Sequence, residues 1–244
     1  MSPQKTIKNF HLASGFCLSN KYTVIRRIGK GWEGEVYLVR ENLTGIERAA
    51  KIFFPQRNQG NRNLKIYAKK LHYLRNCSLL IQYITQDEFI FKGTKITYLI
   101  SELVEGVSLS RFVKMQRGKK LGLFEGLNFL YSLVRGIEEI HSLGEYHGDL
   151  HSDNILVQKF GVGYQLKAID MFHYGRSTKA HYQDDLVFLL RVFHEVLGGK
   201  STYQKSHPVV KELCCGLKSN LIKKKFKSAE HLRKYLERVN LLVG

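Results

Sequence analysis

The chain has 244 residues, 43% of them hydrophobic and 25% charged, which is enough to bury a substantial core of ordinary globular composition. No stretch approaches the roughly 18 uncharged apolar residues of a membrane span, and the first residues lack the apolar segment of a secretory signal. We therefore expect a cytoplasmic protein whose four cysteines, which lack metal-ligand spacing, are reduced thiols.

The formal net charge of +18 is concentrated at the two ends of the chain. Residues 1–86 hold 15 lysines and arginines against 4 acidic residues, and residues 200–244 hold 11 against 3, whereas the centre is nearly neutral. A basic surface attracts polyanions such as nucleic acid, phosphorylated metabolites or acidic lipid, but basic helices are as often simply solvated. Both interpretations stay open, and the run Lys223-Lys224-Lys225 is the candidate anion patch.

Alternation of polar and apolar residues predicts strands in the first third of the chain. These strands are expected at residues 21–28, 35–39, 49–54, 81–91 and 95–102. A helix is expected at about 63–76, because Leu64, Tyr67, Leu71 and Leu74 fall on one face at helical spacing.

The remainder of the chain predicts helices. They are expected at about 123–143, 184–197, 208–222 and 228–240. A β-rich first third followed by a helical remainder predicts one α+β domain with two lobes. Its expected boundaries are an N-terminal extension at 1–20, a first lobe at 21–102, a connecting hinge at 103–108 and a second lobe at 109–244.

A glycine-rich turn separates the first two predicted strands. Gly29, Gly31 and Gly34 give the pattern G-x-G-x-x-G in a strand–turn–strand context, unlike the strand–turn–helix of dinucleotide-binding folds. Glycines there let backbone N–H groups approach a triphosphate closely, although most such matches are ordinary loops. Lys51, in the following strand, would place one cation on the phosphates, or it is a solvated lysine.

The segment from Tyr146 to Val157 carries the strongest chemical signal. It places Asp149 and Asn154 on one loop after a buried helix, and Asp170 ends a later apolar run. Mg²⁺ takes oxygen ligands, usually one or two carboxylates together with substrate phosphates. The sequence therefore predicts a site for a metal–triphosphate, formed where these groups converge beneath the lysine.

Taken in order along residues 21–240, these motifs resemble the protein-kinase superfamily. The resemblance implies the two-lobed protein-kinase-like fold, with a small antiparallel sheet and one helix in the first lobe and a mainly helical second lobe. It implies ATP and Mg²⁺ (or Mn²⁺) as cofactors. The implied activity is that of a protein serine/threonine kinase acting on a hydroxyl-bearing substrate.

The resemblance also assigns roles to individual residues. Asp149 orients the acceptor hydroxyl and accepts its proton, with Lys51 and His151 as the other catalytic residues. Asn154 and Asp170 hold the metal, whereas His147 and Asp185 are structural and Asp185 braces the catalytic loop. The residues expected to contact ATP are Ile28, Gly29, Lys30, Gly31, Gly34, Val36, Ala49, Lys51, Ser101, Glu102, Val104 and Leu156.

Several positions depart from the family pattern. No acidic residue occurs from Arg48 to Gln86, so the predicted helix cannot supply the usual carboxylate partner of Lys51, and Glu33 in the glycine turn is a possible substitute. Met171-Phe172 follows the metal aspartate in place of Phe-Gly, which suggests a fixed activation segment. Gly148 stands where an arginine reads an activation-loop phosphate, so switching by that route is not expected.

These departures leave other functions open. Residues 147–154, which read His-Gly-Asp-Leu-His-Ser-Asp-Asn, also look like the catalytic loop of aminoglycoside and choline phosphotransferases. With only 14 residues between Asp170 and Asp185, a small-molecule kinase is the runner-up. His151 would then donate to the γ-phosphate, or its imidazole is structural. The remaining alternatives are an ATP-binding pseudokinase scaffold and a nucleic-acid-binding module.

Overall fold

The computed structural model describes residues 6–160 and 163–239, without the side chains of residues 159 and 160. The chain divides into two compact units. The first comprises Met1–Arg75 and Ile81–Val104, and the second comprises Asn76–Leu80 and Glu105–Gly244.

The first unit is built on an antiparallel six-stranded sheet in the order β1-β2-β3-β4-β6-β5. Its strands are β1 (Cys17–Leu18), β2 (Tyr22–Lys30), β3 (Gly34–Glu41), β4 (Glu47–Phe53), β5 (Tyr83–Phe91) and β6 (Thr94–Glu102). Helix α1 (Arg62–Tyr73) lies between β4 and β5 in the chain. It buries the apolar face that the sequence predicts, including Leu64, Tyr67 and Leu71.

The sheet register places the residues expected to contact ATP on neighbouring strands. Val36 on β3 lies opposite Lys51 on β4, and Ala49 on β4 lies opposite Ser101 on β6. Ser101 is buried. Sheet pairing alone therefore gathers these side chains, which are far apart in the sequence.

An N-terminal strap (Ile7–Leu12) packs into the core of the first unit. Ile7, Phe10 and Leu12 are buried among sheet residues, and the Phe10 ring stacks on Phe54 and meets Phe91 edge-on, both at 5.4 Å between centroids. Apolar side chains preceding the first strand thus contribute to the core of this unit.

Hydrogen bonds also tie the N-terminal strap to the strand that follows the glycine turn. The fully buried Glu35 carboxylate accepts from the Phe10 backbone N–H at 3.2 Å, the Tyr37 hydroxyl at 2.5 Å and the Arg27 guanidinium at 3.2 Å. Burial, together with the hydrogen bond to Glu35, raises the pKa of Tyr37 to about 12. The phenol therefore stays protonated as a donor, and the buried carboxylate is not left unpaired.

The second unit is mainly helical. Its helices are α2 (Leu109–Met115), α3 (Leu123–Ser142), α4 (Lys179–Val196), α5 (Lys200–Tyr203), α6 (Pro208–Cys214), α7 (Ser219–Lys225) and α8 (Ala229–Leu236). A small antiparallel sheet is formed by β7 (Val107–Ser108), β8 (Ile155–Phe160) and β9 (Gly163–Ala168). Helix α3 is central and packs against both α4 and α8. No helix among the described residues is long and apolar enough to cross a bilayer.

Two predicted helices of the second unit differ from the structure. The prediction of one helix at 208–222 is wrong. The structure has two helices there, α6 and α7, because the residues between them, Cys215, Gly216 and Leu217, take positive φ values of 49°, 63° and 59°. Helix α4 begins at Lys179, earlier than expected, since the Thr178 hydroxyl caps its first turn by accepting from the His181 N–H. For the last helix, expected at 228–240, residue 240 lies outside the described residues.

The packing of the N-terminal strap generates a stability prediction. Phe10→Ala removes a ring that is 3% exposed, so we expect it to lower the free energy of unfolding by about 3–5 kcal/mol. Phe124→Ala is the matched control, because that ring is 70% exposed and its loss should change stability by about 0.5 kcal/mol at most. Urea denaturation measures the free energy of unfolding of both variants and of the parent protein. Equal midpoints for Phe10→Ala and the parent protein would show that the strap is not part of the core.

Candidate catalytic site

The glycine turn lies between β2 and β3, and its three glycines differ in what surrounds them. A side chain at Gly34 would collide with the backbone carbonyl of Ile52 on β4, so the sheet itself requires glycine there. A side chain at Gly29 would make only ordinary contact with Val36, and at Gly31 it would meet nothing within 4 Å. The protein's own packing therefore does not explain Gly29 and Gly31, which fits a role in admitting a ligand close to the backbone.

The tip of the glycine turn contacts both β4 and the segment that follows it. The Glu33 carboxylate is 2.7 Å from the Lys51 ammonium and accepts from the Asn63 side-chain amide at 3.2 Å. The Trp32 ring lies 3.9 Å from the Arg57 guanidinium, measured to the ring centroid. The structure thus pairs Lys51 with the carboxylate named as a possible substitute from the sequence.

The remaining residues expected to contact ATP occupy several strands. Ile28, Gly29 and Lys30 end β2, Gly34 and Val36 begin β3, Ala49 and Lys51 lie on β4, Ser101 and Glu102 end β6, Val104 follows β6, and Leu156 lies on β8 of the second unit. The Glu102 carboxylate accepts from the Gln82 backbone N–H at 3.0 Å, and the Glu102 N–H donates to the Gln82 carbonyl at 3.0 Å. These two bonds hold the backbone at the end of β6.

A buried carboxylate organises the loop that precedes β8. Asp185 on α4 is fully buried, and it accepts from the backbone N–H groups of His147 at 2.8 Å and Gly148 at 2.9 Å. The His141 imidazole on α3 lies 3.0 Å from the same carboxylate. Because backbone donors and a side chain from a second helix meet one carboxylate, both helices fix the start of this loop.

Within this loop, the Asn154 side chain is hydrogen-bonded to Asp149. The Asn154 amide nitrogen donates to the Asp149 carbonyl at 3.0 Å and to the Asp149 carboxylate at 3.1 Å. Asn154 is buried, whereas the Asp149 side chain is about half exposed. The carboxylate is therefore oriented by a buried amide and still open to an acceptor molecule.

Two histidines cap the same loop by bonds to its backbone. The His147 Nδ1 accepts from the Asp149 N–H, and the His151 Nδ1 accepts from the Asp153 N–H, each at 3.3 Å. The acceptor role assigns the neutral tautomer of His151 with its proton on Nε2. That Nε2 lies 3.8 Å from the Asp149 carboxylate, beyond hydrogen-bonding distance but next to the same exposed surface.

Asp170 is held next to this loop by backbone hydrogen bonds. The Ile169 N–H donates to the Asn154 carbonyl at 2.9 Å, and the Phe172 N–H donates to the His147 carbonyl at 2.9 Å. Asp170 itself takes a positive φ of 56°, which is uncommon for a residue other than glycine. Such strain persists only where surrounding contacts impose it and is concentrated at functional sites.

The segment after Asp170 is pinned to the same loop. The Tyr146 hydroxyl accepts from the Tyr174 N–H at 2.7 Å and donates to the Gly175 carbonyl at 3.1 Å. Burial raises the pKa of Tyr146, which keeps this hydroxyl protonated. Gly148 has a φ of 82°, and a side chain there would press on the Phe172 carbonyl and the Tyr146 ring at about 3.1 Å. An arginine at position 148 would therefore disturb this packing.

The donor chemistry of these residues fits a magnesium ion. Because the Asn154 amide nitrogen donates both of its hydrogen bonds to Asp149, the Asn154 side-chain carbonyl oxygen is the group left to face a ligand. Asp170, held beside it, adds a carboxylate, and hard oxygen ligands are those that Mg²⁺ prefers. Among the described residues, no group of three or more His, Cys, Asp or Glu side chains is arranged to hold a metal ion.

The basic run in α7 is partly neutralised within the second unit. The Lys223 ammonium lies 2.6 Å from the Asp184 carboxylate, and the Lys225 ammonium lies 2.9 Å from that of Glu212. These pairs favour a solvated helix face, and binding of a polyanion stays a prediction.

Some residues that hold the site gave little signal in the sequence. Asn63 and Arg57 belong to a stretch without acidic residues, where nothing marks an amide or a guanidinium as partners of the glycine turn. His141 was visible as a polar residue on the buried face of the predicted helix at 123–143, and a buried carboxylate on another helix is the partner that such a position requires.

Comparisons with known proteins show which family this chain is similar to. A family model described as Protein kinase domain matches residues 22–235. Sperm motility kinase 1 of Mus musculus is 32% identical over 160 residues, which cover 65% of this chain and 30% of that protein. Mitogen-activated protein kinase HOG1 of Debaryomyces hansenii is 29% identical over 146 residues, covering 59% and 36%. The chain spans between 29% and 57% of the lengths of the first curated relatives it matches.

Solved structures show the same fold. The kinase domain of Mycobacterium tuberculosis PknI, in the form of a double mutant, superposes with a TM-score of 0.66 at 16% identity, covering 96% of this chain and 99% of that one. A single mutant of the same domain gives a TM-score of 0.67 at 17% identity, covering 93% and 98%. The fold class expected from the sequence, an α+β two-lobed protein-kinase-like fold, is confirmed.

The bracing of the loop by Asp185 leads to a stability prediction with a neighbouring control. Asp185→Ala would leave the His147 and Gly148 N–H groups buried without an acceptor, at about 1–3 kcal/mol each, so we expect a loss of about 3 kcal/mol or more. Asp184→Ala breaks only the partly exposed pair with Lys223 and should cost about 1 kcal/mol at most. Thermal denaturation compares the two. If Asp185→Ala melts no lower than Asp184→Ala, the loop does not depend on Asp185.

Proposed function

The chain belongs to the protein kinase family, and from this premise we propose that it transfers the γ-phosphate of ATP to a serine or threonine hydroxyl of a protein. The observation that carries the proposal is the pair formed by Asp149 and Asn154 on a loop braced by Asp185. The similarity to relatives that are named as protein kinases supports a protein acceptor. We propose the same cytoplasmic setting that the sequence suggests.

We propose that the residues of the first unit hold the nucleotide. The Lys51 ammonium would contact the α- and β-phosphates, and the backbone at Gly29 and Gly31 would approach the phosphates because no neighbouring side chain needs that space. Ser101 would leave room for the adenine, whose edge would meet the Glu102 carbonyl and the Val104 N–H. The proposed boundaries are those expected from the sequence. The first lobe comprises residues 21–102, the hinge 103–108 and the second lobe 109–244, with residues 1–20 as an N-terminal extension.

The second unit would supply the groups that act during transfer. Asn154 and Asp170 would hold Mg²⁺, which neutralises charge on the β- and γ-phosphates when bound. Asp149 would orient the acceptor hydroxyl and accept its proton as the hydroxyl oxygen bonds to the γ-phosphorus. The bond from that phosphorus to the bridging oxygen breaks, and ADP leaves with the electron pair. The His151 Nε2–H would donate to the transferred phosphoryl group.

A small-molecule kinase is the second candidate, and one observation favours it. The segment after Asp170 is short and tied to the loop through Tyr146 and the Phe172 N–H, which leaves little chain for docking an extended peptide. A substrate that fits directly against Asp149 and His151 would not need such a platform. An ATP-binding pseudokinase would show binding without turnover.

The proposal is tested by following label from γ-labelled ATP into a protein lysate and, separately, into a metabolite extract. Asp149→Asn should lower the transfer rate about 10²- to 10⁴-fold, the range of a lost general base. Asp153→Asn is the control, because it removes a carboxylate from the same loop that is exposed and outside the proposed catalytic set. Label on protein serine or threonine is the expected result.

Label in the metabolite extract alone would instead assign the small-molecule alternative. Equal transfer by Asp149→Asn and the parent protein would refute the role of Asp149. Mg-dependent ATP binding with no transfer to either fraction would support the pseudokinase.

A further inference from the structure

Helix α1 cannot supply the carboxylate that positions Lys51. No acidic residue occurs between Arg48 and Gln86, and the buried face of α1 is formed mostly by apolar side chains such as Leu64, Tyr67, Ala68 and Leu71. A lysine that must meet phosphate oxygens loses much of its effect when it is misplaced, since a displacement near 1 Å can cost about 10²-fold in rate. Any positioning carboxylate must therefore come from another element.

We propose that Glu33 of the glycine turn positions Lys51 and that Asn63 couples this pair to α1. The inference rests on the proposed function and names how its phosphate-binding lysine is held. The Glu33 Oε2 is 2.7 Å from the Lys51 Nζ, and the Asn63 amide nitrogen donates to the Glu33 Oε1 at 3.2 Å. The two carboxylate oxygens thus have different partners, one on β4 and one in the first turn of α1.

The backbone around Glu33 is fixed by contacts of its own. The Phe54 N–H donates to the Glu33 carbonyl at 2.8 Å, and the Gly31 N–H donates to the Gly34 carbonyl at 2.9 Å. The Trp32 ring packs on the Arg57 guanidinium, and the Asn63 amide nitrogen also donates to the Arg57 carbonyl at 2.9 Å. Because Asn63 and Trp32 both contact Arg57, this one residue connects the glycine turn to the start of α1.

The environment makes the ion pair stronger than an exposed one. The Lys51 and Glu33 side chains are 12% and 25% exposed, so solvent screens their attraction less than that of a surface pair. The Lys51 ammonium also lies 4.8 Å from the Tyr67 ring centroid and 5.4 Å from that of Phe53. Aromatic faces attract cations, so both rings add to the stabilisation of the ammonium in this position.

The pairing of Glu33 with Lys51 couples the position of the glycine turn to the position of the lysine. The turn expected to cover the phosphates also carries the carboxylate that holds the lysine, so the two cannot move independently. A disturbance of α1 would reach Lys51 through Asn63 and Glu33 and not through a carboxylate on α1.

The test combines Glu33→Gln, Asn63→Ala and Lys51→Met with a control on the same sheet. Glu33→Gln should lower kcat/KM about 10- to 100-fold and weaken MgATP binding about fivefold, because the ammonium is no longer held. Asn63→Ala should have a smaller effect of the same kind. Glu47→Gln breaks the exposed pair with Arg40 at 3.0 Å and should match the parent protein.

The decisive measurement is the double-mutant cycle. A residue that acts through Lys51 has nothing left to position in the Lys51→Met background, so adding Glu33→Gln there should change kcat/KM and MgATP affinity less than twofold. A purely structural Glu33 would lower both equally in either background, and that result would overturn the inference. Equal behaviour of Glu33→Gln and Glu47→Gln would also overturn it. If the parent protein binds MgATP but transfers no phosphate, the proposed function fails, and the same cycle in MgATP affinity still decides the role of Glu33.

Discussion

The hydrogen bonds of the buried Asp185 carboxylate are the interaction on which the proposed site in the second unit depends. It accepts two backbone N–H groups at the start of the loop and lies next to His141, so α3 and α4 are both tied to that loop. From there the loop carries Asp149 to Asn154, and the Asn154 carbonyl receives the N–H of Ile169, the residue before Asp170. The buried carboxylate is thus connected, through the loop backbone, to both residues proposed to hold the metal.

In this kinase domain, packing and hydrogen bonds hold in place the segments that lie next to the proposed site residues. The segment after Asp170 is held by the Tyr146 hydroxyl and by backbone bonds, and Gly148 takes a conformation that a larger residue would strain. In the first unit, the N-terminal strap supplies Phe10 to the core and an N–H to Glu35, directly after the glycine turn. Packing and hydrogen bonds within each unit therefore hold the segments that carry the proposed site residues.

Much of the fold followed from periodicity and motif order, because the strands at 21–102 alternate strongly and the helix at 123–143 has a continuous apolar face. The break between α6 and α7 was missed although Gly216 lies within it, and Cys215 and Leu217 on either side also adopt positive φ, which is uncommon for residues other than glycine. A partner of a site residue could be predicted from the sequence only where the residue type requires one, as the Lys51 ammonium requires a carboxylate such as that of Glu33. Asn63, Arg57 and the N-terminal strap depend on tertiary contacts that no local pattern encodes.

In the proposed function, Asn154 and Asp170 hold a metal ion that is bound to the nucleotide. Calorimetric titration of ATP with and without Mg²⁺ tests it most directly, on the parent protein and on Asp170→Asn. We expect Mg²⁺ to strengthen ATP binding at least about tenfold in the parent protein and to have no such effect in Asp170→Asn. An equal gain from Mg²⁺ in both proteins would contradict it.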